Sequence, residues 1–348
     1  MELMLALLFS FAVSLVTISL VRPVAIRFNL VDKPNERKKH EGHIPLIGGI
    51  AVFSSVLVTS SLFLPFSIEL ASYLFASGLM VLIGVMDDRH DLSVRFRIFF
   101  QLLVASLMIF STESYIQNLG NLFAFGDIQL GWGGVIFTYV AVIGIINAFN
   151  MVDGIDGLLG TMAIITLTAI SVLLFISGQT SILSILLVVA LVPYLIFNLG
   201  VFGTQYRKIF MGDAGSMFIG FTIVWLLAIN TQGGQSSFRP VTALWIVAIP
   251  LMDMAAIIVR RVRKGKSPFS PDRDHLHHIF IRAGFTSRQA LLIISTIGAL
   301  FAAIGIMGEV FQIAESIMFF AFIGIFLIYN YAILHVWLIL KWYRKRAV

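Results

Sequence analysis

Cysteine is absent from the 348 residues, and charged residues make up only 12% of them. The absence of cysteine excludes a disulfide framework and a thiolate metal site. The scarcity of charge, combined with 59% hydrophobic residues and a mean hydropathy of +0.96, excludes a soluble globular domain, because its core could not hide so much apolar surface. The sequence therefore predicts an all-α integral membrane protein.

The first 20 residues lack the basic start and the small-residue cleavage site of a signal peptide, so we expect them to form a first spanning helix. Eleven apolar runs in total are long enough to cross a bilayer, which takes roughly 17–25 residues. Their approximate ranges are 3–21, 45–64, 70–86, 96–113, 131–149, 158–177, 181–198, 214–230, 241–259, 289–307 and 316–340.

Basic residues are almost absent from one of the two sets of loops that these runs define. Of the 24 Lys and Arg residues, only Arg239 falls in that set. The positive-inside rule makes the basic loops cytoplasmic, with the N-terminus outside and the C-terminus inside. Topology then explains the net charge of +6, and a nucleic-acid partner loses its only support. We expect a single polytopic domain over 1–348 with cytoplasmic active-site loops at 22–44, 87–95, 147–157, 199–213 and 260–288.

Polar side chains recur every third residue directly after the fifth apolar run, at Asn147, Asn150, Asp153 and Asp156. On a helical or near-helical path these side chains lie along one edge, where they offer oxygen ligands to a hard cation. Three glycines repeat at the same interval and let a phosphate approach the backbone. A polar helix end with Asn and Asp caps is the structural alternative. Function is favoured because polar residues at membrane depth are costly.

A second acidic cluster ends the third run, where Asp87 and Asp88 are adjacent and Asp91 follows three residues later. Adjacent side chains diverge by about 100° on a helix, so we expect the pair to serve different partners. The doublet indicates a metal or phosphate site, although a charged stop after a spanning helix uses the same residues. Arg97 opens the next helix, either as a positive-inside anchor or as a contact to an anionic head group.

Asp213 lies between two glycines immediately before the eighth run. The N-terminus of a helix attracts phosphate, and a carboxylate there can hold a cation that bridges to it. A plain N-cap is an equally good explanation of Asp213 when this motif is considered alone. Asp253, inside the ninth run, is explained by pairing with a polar neighbour, and we expect a structural role for it.

Histidines cluster in the longest cytoplasmic loop, at His275, His277 and His278, together with Arg273. Zinc is disfavoured, because no cysteine is present and the spacing differs from the His-Glu-x-x-His arrangement. Contact with a substrate diphosphate or sugar explains the cluster better.

Taken together, these four stretches resemble the polyprenyl-phosphate N-acetylhexosamine-1-phosphate transferases over nearly the whole chain. The likeness is carried by Asp87-Asp88, 147–157, 210–216 and 275–278, in the family's order. It implies a bacterial inner-membrane enzyme whose active site faces the cytoplasm. The expected reaction transfers N-acetylglucosamine 1-phosphate from UDP-N-acetylglucosamine to undecaprenyl phosphate and releases UMP. This is the first membrane step of O-antigen and enterobacterial common antigen synthesis.

The resemblance also implies residue roles. Asn150 and Asp213 would sit closest to Mg²⁺, for which Mn²⁺ could substitute. Asp87 and Asp88 would face the acceptor phosphate, and we expect a catalytic role for them. We also expect a catalytic role for Asp153 and Asp156, which would help to bind nucleotide or metal. The expected substrate-binding residues are Asp91, Arg97, Asn147, Arg273, His275, His277 and His278.

Two departures separate branches of this family. The muramoyl-pentapeptide branch carries Lys at the position of Asp91, and its triple-His pattern is interrupted here by Leu276. Both favour the N-acetylglucosamine branch, while the teichoic-acid initiating enzymes stay open. A secondary transporter is the non-enzyme alternative, but it would place its carboxylates near the membrane midplane. Membrane lipids are expected partners, and the sequence leaves a homodimer open.

Overall fold

A computed structural model describes residues 1–33, 42–233, 236–268 and 275–335, and its regular structure is almost entirely helical. Two short strands, β1 (Val31–Asp32) and β2 (Ile44–Pro45), pair in antiparallel fashion. The helices are α1 (Glu2–Arg27), α2 (Gly48–Phe63), α3 (Ile68–His90), α4 (Val94–Thr112), α5 (Gly133–Val152), α6 (Leu158–Ile176), α7 (Ile182–Leu199), α8 (Gly212–Thr231), α9 (Pro240–Ile246), α10 (Ala248–Arg263), α11 (Leu276–Ala283), α12 (Ser287–Val310) and α13 (Glu315–Leu334).

Among the described residues, nine helices are long and apolar enough to cross a membrane, and α9 with α10 forms a tenth, bent candidate. The shorter apolar helix α2 has 16 residues. The prediction of an all-α integral membrane protein is confirmed. Each of the eleven predicted runs corresponds to one of these helices or to the bent pair, whereas the number of crossings and their orientation stay predictions.

The ninth predicted run, 241–259, is not one straight helix. It breaks at Val247, and the two halves are bent by 80°. Pro250 has no backbone N–H, so the carbonyl of Ile246 lacks its helical hydrogen-bond partner, which favours a break at this point. The hydroxyl of Thr166 lies 3.5 Å from that carbonyl oxygen. Because of this break, α10 runs in a different direction from α9, and Asp253 lies on α10.

Helix α8 lies at the centre of the bundle. Nearly all of its side chains are buried, and it packs against α2, α3 and α5. The backbones approach closely near its start: an ideal Cβ on Gly84 would clash with the Cα of Ala214, and one on Gly49 would clash with the Cα of Gly215. Only glycine fits these contacts without a backbone shift. Helices α2 and α3 therefore fix the position of the first turn of α8.

The segment that leads into α8 is also held by backbone hydrogen bonds. Phe210 donates its N–H to the carbonyl of Pro45 at 2.9 Å. In return, Gly48 and Gly49 donate to the carbonyls of Phe210 and Met211 at 2.9 and 3.0 Å. The connection between β2 and α2 thus supports the entry into α8 from one side.

Candidate active site

The N-terminus of α8 is capped by a side chain from another helix. The carboxylate of Asp88, near the end of α3, accepts the backbone N–H of Asp213 at 2.8 Å and that of Ala214 at 3.3 Å. The first N–H groups of a helix have no partner within it, and the helix dipole favours negative charge there. Asp88 therefore stabilises the turn that carries Asp213, while Asp213 itself is a first-turn residue and not the N-cap.

The adjacent Asp87 has different partners, as its neighbouring position on the helix predicts. One carboxylate oxygen accepts the N–H of Leu92 at 2.7 Å, and the other accepts a hydrogen bond from the guanidinium of Arg97 at 3.0 Å. The side chain of Asp87 is 2% exposed and that of Arg97 is 29% exposed. Arg97 thus neutralises a buried carboxylate and fixes the turn between α3 and α4.

Asn150 and Asp213, which the family resemblance assigns to one cation, lie side by side. The amide nitrogen of Asn150 donates to Oδ1 of Asp213 at 2.6 Å and to the hydroxyl of Ser216 at 2.8 Å. These bonds use the nitrogen of the Asn150 amide and turn it toward the start of α8. The end of α5 and the start of α8 therefore meet at these two side chains.

Negative charge accumulates where α3, α5 and α8 meet. Asp87 and Asp88 each lie close enough to Asp213 for their carboxylates to repel it, and Arg97 balances one of the three charges. Carboxylates and an amide oxygen are the hard donors that Mg²⁺ prefers. The described residues contain no group of three His, Asp or Glu side chains arranged around one point. This donor set fits an ion held by one or two protein oxygens and by substrate phosphates, as is usual for Mg²⁺.

The loop after α5 does not continue the helical edge predicted from the three-residue spacing. Helix α5 ends at Val152, so Asp153 is its C-cap residue and Asp156 lies in the following turn. Asp156 accepts a hydrogen bond from the ammonium of Lys208 at 2.6 Å. Only Asn147 and Asn150 share a helix face, and the two carboxylates are placed by the loop instead.

Asn198 ties this loop to the segment before α8. Its side chain is buried; the amide oxygen accepts the N–H of Gly157 at 2.6 Å, and the amide nitrogen donates to the carbonyl of Ile209 at 2.9 Å. A buried amide with both ends satisfied holds its two partners at a fixed separation. Asn198 thus sets the position of the Asp153–Asp156 loop relative to α8.

Two of the expected substrate-binding residues have local structural roles. The amide nitrogen of Asn147 donates to Oε1 of buried Gln101 at 3.0 Å and to the carbonyl of Ile143 at 2.8 Å, which joins α5 to α4. Asp91 is exposed and ends α3 in the left-handed conformation at φ 50°. Asp adopts this backbone conformation more readily than most residues, because its short polar side chain can hydrogen-bond locally at positive φ.

The histidine cluster lies at the start of α11, while Arg273 falls outside the described residues. Nδ1 of His275 is 2.9 Å from Oδ2 of Asp253, and the rings of His275 and His277 are parallel with centroids 5.8 Å apart. His278 lies against His277 at 4.2 Å between centroids. The three rings therefore form one group, called here the histidine stack, in which His275 and His277 are parallel and His278 is tilted by 54° against His277.

His277 joins this stack to the loop after α5. Its Nε2 atom is buried and has no hydrogen-bond partner, and an ideal Cβ on Gly154 would meet that atom. Burial, followed by the neighbouring His278 and His275, lowers the pKa of His277 to about 3. His277 is therefore neutral at physiological pH and packs its ring edge against bare backbone next to Asp153.

Sequence reasoning missed the residues that support the expected ones. Ser216 orients Asn150, Asn198 positions the loop after α5, and Lys208 pairs with Asp156. Asp253 holds His275 and the start of α11, and Tyr329 donates to the same carboxylate. The sequence did mark Asp253, because a carboxylate inside an apolar run is costly unless a polar group pairs with it. That partner lies 22 residues away, beyond a loop, and its identity could not be derived from spacing.

Comparison with known proteins shows which family this chain belongs to. The model of glycosyl transferase family 4 matches residues 70–231. The undecaprenyl-phosphate alpha-N-acetylglucosaminyl 1-phosphate transferase of Haemophilus influenzae is 47% identical over 350 residues, which cover 98% of this chain and 97% of that protein. The proteins of the same name from Yersinia pestis and Escherichia coli (strain K12) are 46% and 44% identical, covering 97% and 93% of this chain and 93% and 89% of their own lengths.

The chain belongs to the polyprenyl-phosphate N-acetylhexosamine-1-phosphate transferase family. The matched range 70–231 runs from α3 to α8 and therefore contains the acidic pair, Asn150 and Asp213 of this transferase. The relatives match nearly the whole chain, so the likeness extends beyond that core to the part that carries α10, α11 and α13.

Proposed function

We propose that this transferase moves N-acetylglucosamine 1-phosphate from UDP-N-acetylglucosamine to undecaprenyl phosphate and releases UMP. The observation that carries the proposal is the near full-length identity to relatives named for this activity. The meeting of Asp88, Asn150 and Asp213 at the N-terminus of α8 supports it, because this arrangement provides oxygen donors for a cation that can bridge to phosphate.

The expected cofactor is Mg²⁺, with Mn²⁺ as a substitute, and the proposed ligands are Asn150 and Asp213. When bound, the ion would neutralise charge on the donor diphosphate and on the departing UMP. Asp88 holds the backbone of Asp213 through its N–H, so we assign Asp88 to the placement of this ligand. Asn150 in turn is oriented by Ser216.

The chemical step requires little acid–base help from the protein. A phosphate monoester has a second pKa near 6, so the acceptor is largely a dianion at neutral pH. One of its oxygens attacks the phosphorus that bears the sugar, a new P–O bond forms, and the bond from that phosphorus to the bridging oxygen breaks with release of UMP. We propose that the acceptor phosphate binds beside Asp87 and Arg97, and that Arg97 shifts from Asp87 to the incoming phosphate.

The donor would lie along the edge where the loop after α5 meets the histidine stack. We propose that Asp153 and Asp156 contact the nucleotide side, and that Arg273, His275, His277 and His278 contact the diphosphate and sugar. His277, held neutral by burial, packs against Gly154 and keeps the stack close to that loop. The site would face the cytoplasm of the bacterial inner membrane, and the product would begin O-antigen and enterobacterial common antigen synthesis.

The test is UMP release by purified protein given Mg²⁺, UDP-N-acetylglucosamine and undecaprenyl phosphate. We expect release only when all three are present, and no release when UDP-N-acetylmuramoyl-pentapeptide replaces the donor. Comparable turnover with the pentapeptide nucleotide would place the protein in the muramoyl branch. An absence of UMP release with either donor would refute the proposed function.

A further inference from the structure

Asp253 is a buried carboxylate that has no role in the reaction proposed above. It lies on α10 after the break in the helix and is 3% exposed. A carboxylate at such a depth is costly unless its oxygens are hydrogen-bonded. Three groups satisfy it: Nδ1 of His275 at 2.9 Å, the N–H of Leu276 at 3.1 Å and the hydroxyl of Tyr329 at 2.9 Å.

These contacts determine the orientation of the His275 ring and the position of the backbone at the start of α11. A histidine nitrogen that faces a carboxylate carries the proton, so Nδ1 of His275 is the donor and Nε2 is the nitrogen left for another partner. The tautomer follows from the hydrogen-bond network. The bond to Leu276 also supplies α11 with the N-terminal acceptor that His275, its N-cap residue, does not provide.

The surrounding packing holds Asp253 in place from two further helices. Ala256 of α10, Ile279 of α11 and Ile333 of α13 form a small buried cluster beside it. Tyr329 of α13 donates to the same oxygen that accepts from Leu276. The carboxylate is therefore fixed by α10 and α13, while the group that it orients is on α11.

We propose that Asp253 is a positioning residue that presents Nε2 of His275, as a hydrogen-bond acceptor, to a hydroxyl group of the sugar in the nucleotide-sugar donor. The inference rests on the proposed function, in which the histidine stack contacts the donor. Asp253 acts through His275, and the parallel stacking of His275 on His277 carries the same orientation to the loop at Gly154. Tyr329 assists by filling a lone pair of the carboxylate.

A double-mutant cycle tests the proposal. Asp253→Asn and His275→Asn should each lower kcat/KM for UDP-N-acetylglucosamine by roughly 10- to 100-fold, the usual cost of losing an orienting partner. The double variant should have the same kcat/KM as His275→Asn alone, because both substitutions disable the same Asp253–His275 pair. KM for undecaprenyl phosphate should not change. Losses that multiply in the double variant would overturn the proposal.

A matched control separates positioning from structural support. Glu309 is a largely buried carboxylate that pairs with Arg239 at 3.2 Å and accepts from Thr242 at 2.7 Å. Glu309→Gln should lower the thermal unfolding temperature without altering KM for the nucleotide sugar. If Asp253→Asn behaves like Glu309→Gln, with lost stability and unchanged kinetics, Asp253 has only a structural role.

A second readout does not depend on activity. In wild-type protein with ¹⁵N-labelled histidine, the His275 signal, assigned by its loss in His275→Asn, should show a protonated Nδ1. An unprotonated Nδ1 would overturn the proposal even if Asp253→Asn fails to fold. If the wild type releases no UMP while Nδ1 is protonated, the proposed function fails and the placement of His275 by Asp253 stands.

Discussion

Oδ1 of Asp88 lies 2.8 Å from the backbone nitrogen of Asp213 and accepts its N–H, so a residue of the acidic pair serves as the N-terminal cap of a distant helix. Because alanine cannot accept the two N–H groups that Asp88 satisfies, Asp88→Ala should cost about 1 kcal/mol of stability even without substrate. Thermal unfolding in detergent measures this. Asp127→Ala, at an exposed carboxylate, is the control, and equal stability of both variants would contradict the capping role.

Asp213→Asn keeps the shape of the side chain but removes a negative charge from the proposed cation site. We expect activity to fall severely, or to require much more Mg²⁺, because a neutral amide binds a divalent cation more weakly than a carboxylate does. The measurement is UMP release as a function of Mg²⁺ concentration. An unchanged Mg²⁺ dependence in this variant would show that Asp213 does not bind the cation.

Asp87 is expected to position the acceptor and not to form a covalent intermediate. Asp87→Asn should lower turnover while binding of Mg²⁺ and nucleotide sugar stays nearly intact. A nucleophilic Asp87 would instead take the sugar phosphate before the lipid arrives, and delipidated wild type would then exchange labelled UMP into UDP-N-acetylglucosamine. We expect no such exchange. Exchange that requires Asp87 but no lipid phosphate would disprove single displacement and leave the overall reaction unchanged.

Topology can be measured directly, because the chain has no native cysteine. A cysteine at Ser114 or Ser236 should react with an impermeant thiol reagent added to intact cells, since both positions lie in loops poor in Lys and Arg. A cysteine at Ser267 should react only after the cells are opened. Labelling at Ser267 from outside would reverse the orientation and place the active site on the other face.

The low pKa of His277 predicts a loss of stability in acid. Burial keeps the folded-state pKa at about 3, whereas an unfolded His titrates near 6.5, so the unfolded state binds a proton that the folded state refuses. Stability is therefore complete above pH 6.5 and falls as the pH drops toward 3. From pH 7.5 to 5.5 we expect a loss of roughly 1 kcal/mol from this residue. His277→Gln should show a smaller loss over the same interval, and an equal one would assign the effect elsewhere.

The sequence alone predicted the membrane class and the approximate helices, and it named candidate residues for the site. Apolar runs are a local property, and the bilayer demands them whatever the packing. The cost of oxygen donors beside a membrane segment marked Asn150, whereas the resemblance to the transferase family placed Asp213 with it at one cation. The two side chains are in contact at 2.6 Å although they are 63 positions apart, and their role as metal ligands stays a prediction.

Only the tertiary structure decided what each carboxylate touches. Divergence on the helix predicted different partners for Asp87 and Asp88, but the choice of Arg97 for one and the start of α8 for the other depends on how α3, α4 and α8 pack. The three-residue spacing suggested one helical edge through Asp156, yet the backbone leaves the helix after Val152. Asp253 and His275 meet only because α10, α11 and α13 pack together, and a contact between separate helices leaves no periodic signal in the sequence.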